Sequence, residues 1–518
     1  MSQEKLLKVY QPRKINVFRA IGYGLPDIMG GGAFTIIGAW LLFFWTTYAD
    51  LSAVEASSIL GIARIVDACI SLIMGSITDN LYRTRIGRKL GRRHFFLLIG
   101  SPLMLTFILM WVTGMSYWYY LVSYLLFEIV AAMVLIPWET LPTEMTEDYT
   151  KRTMFSTTRM IISSTGVFLA TFVPGQLFKF FGENSAAPFL YNAVFFALIY
   201  VICVFITYSV TWERQITPEI EKELQKTATH GIWKTLKKQL KDYVFTLKVK
   251  SFRKHLIIYL LSFTSKDVFN AVFAYYCVSA LMVSSTTSAN VLSLSFMGPF
   301  IMFISGFLMV KFGPRWLYSV SYSCEILALC GFCVLFATKP SNVVILLFVF
   351  GFLYNIGLAI LQFVPWNVFP LIPDLDEIIT KQHREGIYAA VMTFVRKSTI
   401  AVATVCVGFL LDMGGYVKGS IHQSVAAQRT IVAVLVGGTG ILLLCALLEA
   451  QTFHLNKKTH EVVKNELLRL RAGGDKNDVD PETRKIVEDL TGYKWKNIWK
   501  DESANFDFHQ QKTDENLL

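Results

Sequence analysis

Eight ionisable residues stand inside long apolar stretches of the chain: Asp27, Asp67, Glu128, Arg159, Lys266, Asp267, Arg396 and Lys397. A charge at mid-bilayer costs about 2.5–3.5 kcal/mol on insertion scales, so such groups face one another or a wet cavity. Asp67 and Glu128 are candidates for proton or cation exchange, because a carboxyl taken out of water can exchange protons near neutrality. The alternative for Glu128 is a fixed pair with a neighbouring basic residue, and for Asp67 one with Arg64 or Lys397. Asp27 follows Pro26 and precedes Gly30-Gly31-Gly32. That glycine run serves close helix approach as well as it serves a binding site. Arg159 can grip a carboxylate or hydroxyls through its planar fork. Tyr23, Trp138, Tyr276, Trp366 and Tyr388 offer flat faces for ring stacking, or else belong to interfacial aromatic belts. Lys266-Asp267 is either a local pair on one helix or part of a gate.

The elements that position these residues are membrane helices. Of 518 residues, 53% are hydrophobic and only 17% charged, against about 25% charged in a soluble domain. Ala33 to Trp45, Val343 to Leu361 and Ile431 to Leu448 contain no charge at all. A helix needs roughly 20 apolar residues to cross the hydrocarbon core. Twelve such segments are expected, at about 18–48, 52–77, 94–113, 117–139, 154–180 and 187–211, then 255–281, 288–311, 316–337, 342–369, 386–413 and 427–452.

The net charge of +11 is not a nucleic-acid signal. Lys and Arg concentrate at the N-terminus, in the loop after the second span, in the central loop and at the other even connections, with few on the opposite side. That asymmetry puts both termini in the cytoplasm of a multi-pass plasma-membrane protein. It divides the chain into a six-helix bundle at 1–211, an amphipathic surface linker at 212–254, a second bundle at 255–452 and a polar, solvated tail at 453–518. Within the tail, His460 to Arg471 reads as a short helix ended by Gly473-Gly474. The polar N-terminus lacks the short apolar core of a signal peptide, so the first span is retained. All eight cysteines lie in apolar segments and read as small packing residues. Neither HExxH nor GxSxG nor a set of metal ligands is present, which argues against an enzyme, a cofactor or a bound metal.

An internal repeat links the halves. Ile136-Pro137-Trp138-Glu139-Thr140-Leu141-Pro142 ends the fourth span, and Val364-Pro365-Trp366-Asn367-Val368-Phe369-Pro370 ends the tenth. An acidic and then a basic stretch follows each. A six-span offset means two parallel halves. The proline either hinges or terminates its helix.

The loop from Gly75 through Asp79, Arg83, Gly87, Arg88 and Lys89 to Arg92 and Arg93 resembles the G-x-x-x-D…G-R-[KR] signature of the major facilitator superfamily. The resemblance implies a twelve-helix all-α membrane protein in two pseudo-symmetric bundles. It implies too that Asp79, Arg83, Arg88 and Arg92 gate helix ends through breakable ion pairs. More of the chain, over most of 20–415, resembles the glycoside–pentoside–hexuronide:cation symporters. Four places carry this: Gly22 to Asp27, Ala63 to Ala68, Ile136 through Asp148 to Arg159, and Pro373 through Tyr388 to Lys397. The family implies coupled uptake of a sugar, glycoside or uronide with Na⁺ or H⁺ by a monomer, with no other cofactor. Asp67 looks like its cation-binding aspartate. Arg159 and Lys397 resemble basic residues near its sugar and cation sites. Asp27, Tyr23, Trp138, Trp366 and Tyr388 join them as candidate substrate contacts, and Glu128 as a coupling candidate.

The chain departs from the family where the family's second coupling carboxylate and sugar aspartates would stand, at Ser71, Gly31 and Leu135. Those losses favour the proton and a changed substrate. Lysophospholipid symporters of the same superfamily are the alternative, and a non-transporting receptor or scaffold is the alternative of another class.

Overall fold

The computed structural model describes residues 8–146, 148–182, 185–214, 244–381 and 384–499, without the side chains of Lys8, Leu72, Ser76, Asp79 and Tyr149. The linker helix expected over 212–254 falls mostly outside these residues, as does the Asp79 side chain.

Among the described residues, twelve helices are long and apolar enough to span a membrane. The N-terminal bundle holds α1 (Val17–Thr47), α2 (Ala53–Gly75), α3 (His94–Trp111), α4 (Tyr117–Met145), α5 (Thr150–Phe181) and α6 (Ala187–Val210). The C-terminal bundle holds α7 (Lys250–Ala280), α8 (Ser285–Phe312), α9 (Pro314–Thr338), α10 (Val343–Thr380), α11 (Glu385–Met413) and α12 (Val425–Gln451). Local chemistry sets their ends. Ser52 and Glu55 form a reciprocal capping box at the start of the second helix, and Ser116, Asp148, Ser284 and Ser424 cap others. Gly313, at φ +81°, alone makes the turn from α8 to α9. Pro137 and Pro365 sit just before the main helical runs end at Glu139 and Val368, and short helices Leu141–Met145 and Ile372–Thr380 continue beyond.

The repeat extends to backbone detail. A π-helical turn occupies Ile37–Leu41 in α1 and Tyr276–Ala280 in α7, the first helix of each bundle. Such turns are rare and often stand at functional positions.

Two faces can be distinguished. The terminal face carries both ends of the chain and the even connections, and the opposite face carries the odd ones. Among the described residues, the bonds found between the bundles lie at mid-span or toward the opposite face. Thr46 Oγ1 and the Tyr275 hydroxyl are 2.7 Å apart, and the Thr47 and Tyr416 hydroxyls 3.3 Å. Phe43 packs edge-on to Tyr275 at 5.2 Å, and Lys418 lies 3.5 Å from Asp50. Gly408 lets α11 touch α2: a Cβ there would stand 2.0 Å from Ser57 Oγ and 2.4 Å from the Ala53 carbonyl. Toward the terminal face, Glu139 and Trp366 are exposed. The bundles therefore close at one face and part toward the other.

On the terminal face, basic and acidic segments interlock within each bundle. In the first, Arg92 and Arg93 hold Glu144 at 2.6 and 2.8 Å. Glu213 accepts the backbone N–H groups of Arg92, Arg93 and His94 at 3.0, 2.8 and 2.7 Å, and lies 2.9 Å from His94 Nδ1. Arg88 donates to the Tyr82 carbonyl and Arg83 lies over the Tyr82 ring. Arg83, Arg88 and Arg92 thus bond within their own bundle.

In the second bundle Gly313 alone joins α8 to α9, with Lys311 and Arg315 beside it, and the tail pairs with the acidic segment after α10. Helices α13 (Lys457–Arg471) and α14 (Pro481–Thr491) dock there. His460 meets Asp374 at 2.8 Å, Arg471 pairs with Glu377, and Lys250 meets Asp489 at 2.5 Å. The expected solvated extension is thus a packed element over 453–499. Its polar composition hid an apolar stripe, with Val463, Leu467, Leu470, Val487 and Leu490 buried. Gly473, at φ +89°, follows the end of α13, where the sequence placed a stop.

Candidate functional site

The ionisable residues of the spans gather in layers. Counted at 1.5 Å per residue from the opposite-face helix ends, Glu128 lies about 16 Å deep, Asp67 and Asp267 about 20 Å, and Asp27 about 30 Å.

In the layer nearest the opposite face Arg64 of α2 lies 3.2 Å from Glu128 of α4, whose side chain is 1% exposed. The Arg64 guanidinium covers the Phe34 ring at 5.0 Å. Glu128 is therefore ion-paired within its bundle.

The middle layer straddles the bundle boundary. Lys397 Nζ of α11 lies 2.7 Å from Asp67 Oδ2 of α2 and donates to Ser71 Oγ at 2.7 Å. Ser71 donates in turn to Asp67 Oδ1 at 3.3 Å. The Ser71 hydroxyl thus completes the shell of the ammonium. A cavity of about 280 Å³ adjoins this bond, lined by Ala68, Ser71, Ala389, Ala390, Thr393, Phe394 and Lys397. Nearby, Asp267 of α7 pairs with Arg396 of α11 at 2.6 Å, not with its neighbour Lys266. Adjacent helical residues diverge by about 100°, so each meets different partners.

The third layer lies toward the terminal face on the N-terminal wall. Arg159 Nε of α5 contacts Asp27 of α1 at 2.5 Å, and its Nη2 contacts Glu139 of α4 at 2.6 Å. The guanidinium lies over the Trp138 ring at 4.4 Å. Trp138 Nε1 donates to the Tyr23 carbonyl at 2.7 Å, and the two rings stack at 5.3 Å. Across the cleft, Trp366 of α10 packs against Tyr259 at 5.8 Å. The Asp27–Arg159 pair links the first and fifth helices of one bundle, and Asp267–Arg396 links those of the other.

Asp27, Tyr23, Trp138 and Arg159 thus converge, and Trp366 is an exposed ring of the other bundle, beside Tyr259 and Phe369. Tyr388 does not join them: it is fully buried against Phe252 at 4.6 Å, near the terminal end of α11. Tyr276 donates to the Phe332 carbonyl inside the C-terminal bundle. The sequence reading missed Glu139. Its signal was the one difference at the centre of the repeat, Pro-Trp-Glu against Pro-Trp-Asn. The structure also accounts for Gly31. A Cβ there would stand 2.7 Å from the Ser163 carbonyl, so no carboxylate fits, and Asp27 supplies one a turn earlier. Among the described residues, no group of three or more His, Cys, Asp or Glu gathers as metal ligands would.

Residues 22–457 match the family described as MFS/sugar transport protein. The glucuronide carrier protein homolog of Escherichia coli is 21% identical over 82% of this chain and 90% of that one. The sodium-dependent lysophosphatidylcholine symporter 1 of Mus musculus is 20% identical over 86% and 87%. The structure of the xylose transporter XylE from E. coli, in an inward open conformation, superimposes with a TM-score of 0.56 at 14% identity, over 89% of this chain and all of that one. Two bundles joined at one face, with their charges gathered at the seam, are the architecture of a membrane transporter rather than an enzyme, and the chain belongs to the MFS/sugar transport family.

Proposed function

We propose that this protein is a cation-coupled symporter of a sugar or glycoside that works by alternating access. The observation that carries the reading is the Asp67–Lys397 bond across the bundle boundary. A cation that takes Asp67 frees Lys397, and that exchange loosens α2 from α11. The proton is favoured over Na⁺, because the site offers one carboxylate and a hydroxyl. Substrate binds in the cleft against Asp27, Arg159, Glu139 and Trp366, while Trp138, fully buried beneath Arg159 and beside Tyr23, sets the guanidinium. Carboxylates and the guanidinium suit sugar hydroxyls, and the exposed Trp366 indole suits the apolar side of a sugar ring. The Lys and Arg distribution supports cytoplasmic termini, so the open face is the cytoplasmic one. The protein acts as a monomer in the plasma membrane.

A second reading has its own support. The cavity beside Lys397 is lined mainly by Ala68, Ala389, Ala390 and Phe394, which suits an acyl chain. Uptake of labelled glycosides into proteoliposomes tests the first reading, with proton or Na⁺ gradients imposed separately. Gradient-driven accumulation supports it. Competition by lysophosphatidylcholine without competition by any glycoside supports the second.

A further inference from the structure

Four basic side chains at the centre of the molecule are matched by carboxylates. Arg64 has Glu128, Arg159 has Asp27 and Glu139, Arg396 has Asp267, and Lys397 has Asp67. Lys266 of α7 is different. Its ammonium donates to Gln362 Oε1 of α10 at 3.1 Å, a neutral amide, and among the described residues it meets no carboxylate. An ammonium held at mid-membrane without a counter-charge is costly, and an ionisable residue kept there points to function.

The surroundings give this charge a direction. Lys266 and Arg396 flank one ring, Phe263, at 5.9 and 5.4 Å, and the one carboxylate beside them, Asp267, is taken by Arg396. That wall carries one excess positive charge. On the other wall Asp27 and Glu139 share Arg159, which leaves one excess negative charge. A solute with an acidic end and a hydroxyl-rich end is oriented by such walls. Its hydroxyls donate to Asp27 and Glu139, and its anion meets the C-terminal wall. An ammonium has three donors, and Gln362 uses one.

We propose that Lys266, set by Gln362, is an anion subsite that takes the acidic group of the transported solute. The group is a carboxylate if the solute is an acidic sugar and a phosphate if it is a lysophospholipid. This rests on the symporter reading above and adds a charge requirement to it.

The test compares two matched pairs of probes on the purified full chain: 4-nitrophenyl glucuronide against 4-nitrophenyl glucoside, and lysophosphatidic acid against the monoacylglycerol of the same acyl chain. Affinity is read by competition binding, and uptake in proteoliposomes. In one pair the wild-type chain prefers the acidic member to its neutral counterpart by at least ten-fold. Preference for the glucuronide names the carboxylate, and preference for lysophosphatidic acid names the phosphate. Lys266→Gln lowers the acid-over-neutral ratio at least ten-fold, while Lys266→Arg keeps most of it. Gln362→Glu guards against misfolding of Lys266→Gln, because it gives the ammonium a carboxylate from inside. It abolishes the acid preference in a folded, thermally stable chain. No acid preference in the wild type, or a ratio unmoved in Gln362→Glu, overturns the subsite. Coupled uptake of the neutral glucoside with no acid preference refutes the subsite and leaves the symporter standing. No gradient-driven uptake of any probe refutes both.

Discussion

Lys397 on α11 places its Nζ 2.7 Å from Oδ2 of Asp67 on α2, and this bond joins the two bundles. Both side chains are largely but not fully buried, at 25% and 11% exposure, and a cavity adjoins them. In the proposed cycle this is the bond that the coupling cation exchanges. Removing one partner leaves a charge uncompensated, at a cost of about 3 kcal/mol. Asp67→Asn and Lys397→Met should each lower the melting temperature of the purified protein. The double variant should recover most of that loss. Simple additivity of the two losses would show that the pair does not act as a unit.

Arg159 spans two carboxylates with one planar fork. Lysine reaches one of them and loses the stack on Trp138. Arg159→Lys is expected to raise the KM of uptake about ten-fold or more, a loss of about 1.4 kcal/mol or more. An unchanged KM would remove Arg159 from the binding wall.

Gly408 allows α11 to touch α2 on the closed side. Gly408→Val inserts branched carbons where a Cβ alone would already stand 2.4 Å from the Ala53 carbonyl. The closed contact is then lost and transport falls sharply. A cysteine at Thr47 should become reactive to a membrane-impermeant thiol reagent in this variant, and remain protected when Gly408 is intact.

Glu213 sits outside the spans and its pH behaviour can be signed. Burial pushes its carboxyl up, but bonds from the His94 side chain and the His94 and Arg93 backbone outweigh that and hold it below its ordinary 4.5. A carboxyl depressed in the folded state contributes stability that is complete above its unfolded value. That contribution is lost as pH falls below about 4.5 and through the folded value. Thermal melts from pH 7 to pH 3.5 should show an acid-side loss, and Glu213→Gln should be less stable at pH 7 by about 3 kcal/mol, with a flatter acid limb.

The tail holds the acidic helix Ile372–Thr380 and the start of α7 together. Truncation after Thr452 removes these bonds and bares the face that the tail covers. A lower melting temperature is expected, with aggregation on size-exclusion chromatography. Arg471→Glu, which sets two carboxylates together, should destabilise in the same direction. An unaffected truncation would mean the docking contributes nothing to stability.

The twelve spans were legible because membrane helices must be long and continuously apolar, and the Pro-Trp repeat fixed their grouping. Asp67 with Lys397 and Asp27 with Arg159 were legible as charges without lipid-facing homes. Pairing was legible only in part: Lys397 stood as one of two partners for Asp67, but the choice between it and Arg64 depends on helix rotation, which follows from packing between distant segments. Lys266 and Asp267 show the limit: neighbours in sequence, they meet different helices. Tyr388 was misplaced because aromatic type alone does not tell a cavity wall from a packed helix end. The tail's docking was hidden because an amphipathic polar helix reads as solvated until its partner surface is known.

The most direct test of the coupling claim is gradient-driven accumulation of a glycoside by Asp67→Asn in proteoliposomes, beside the wild type. With Asp67 as the exchange point between the cation and Lys397, the wild type concentrates the glycoside under an inward cation gradient, proton by preference. Asp67→Asn then equilibrates the glycoside without concentrating it. Accumulation by Asp67→Asn at the wild-type level would contradict the account.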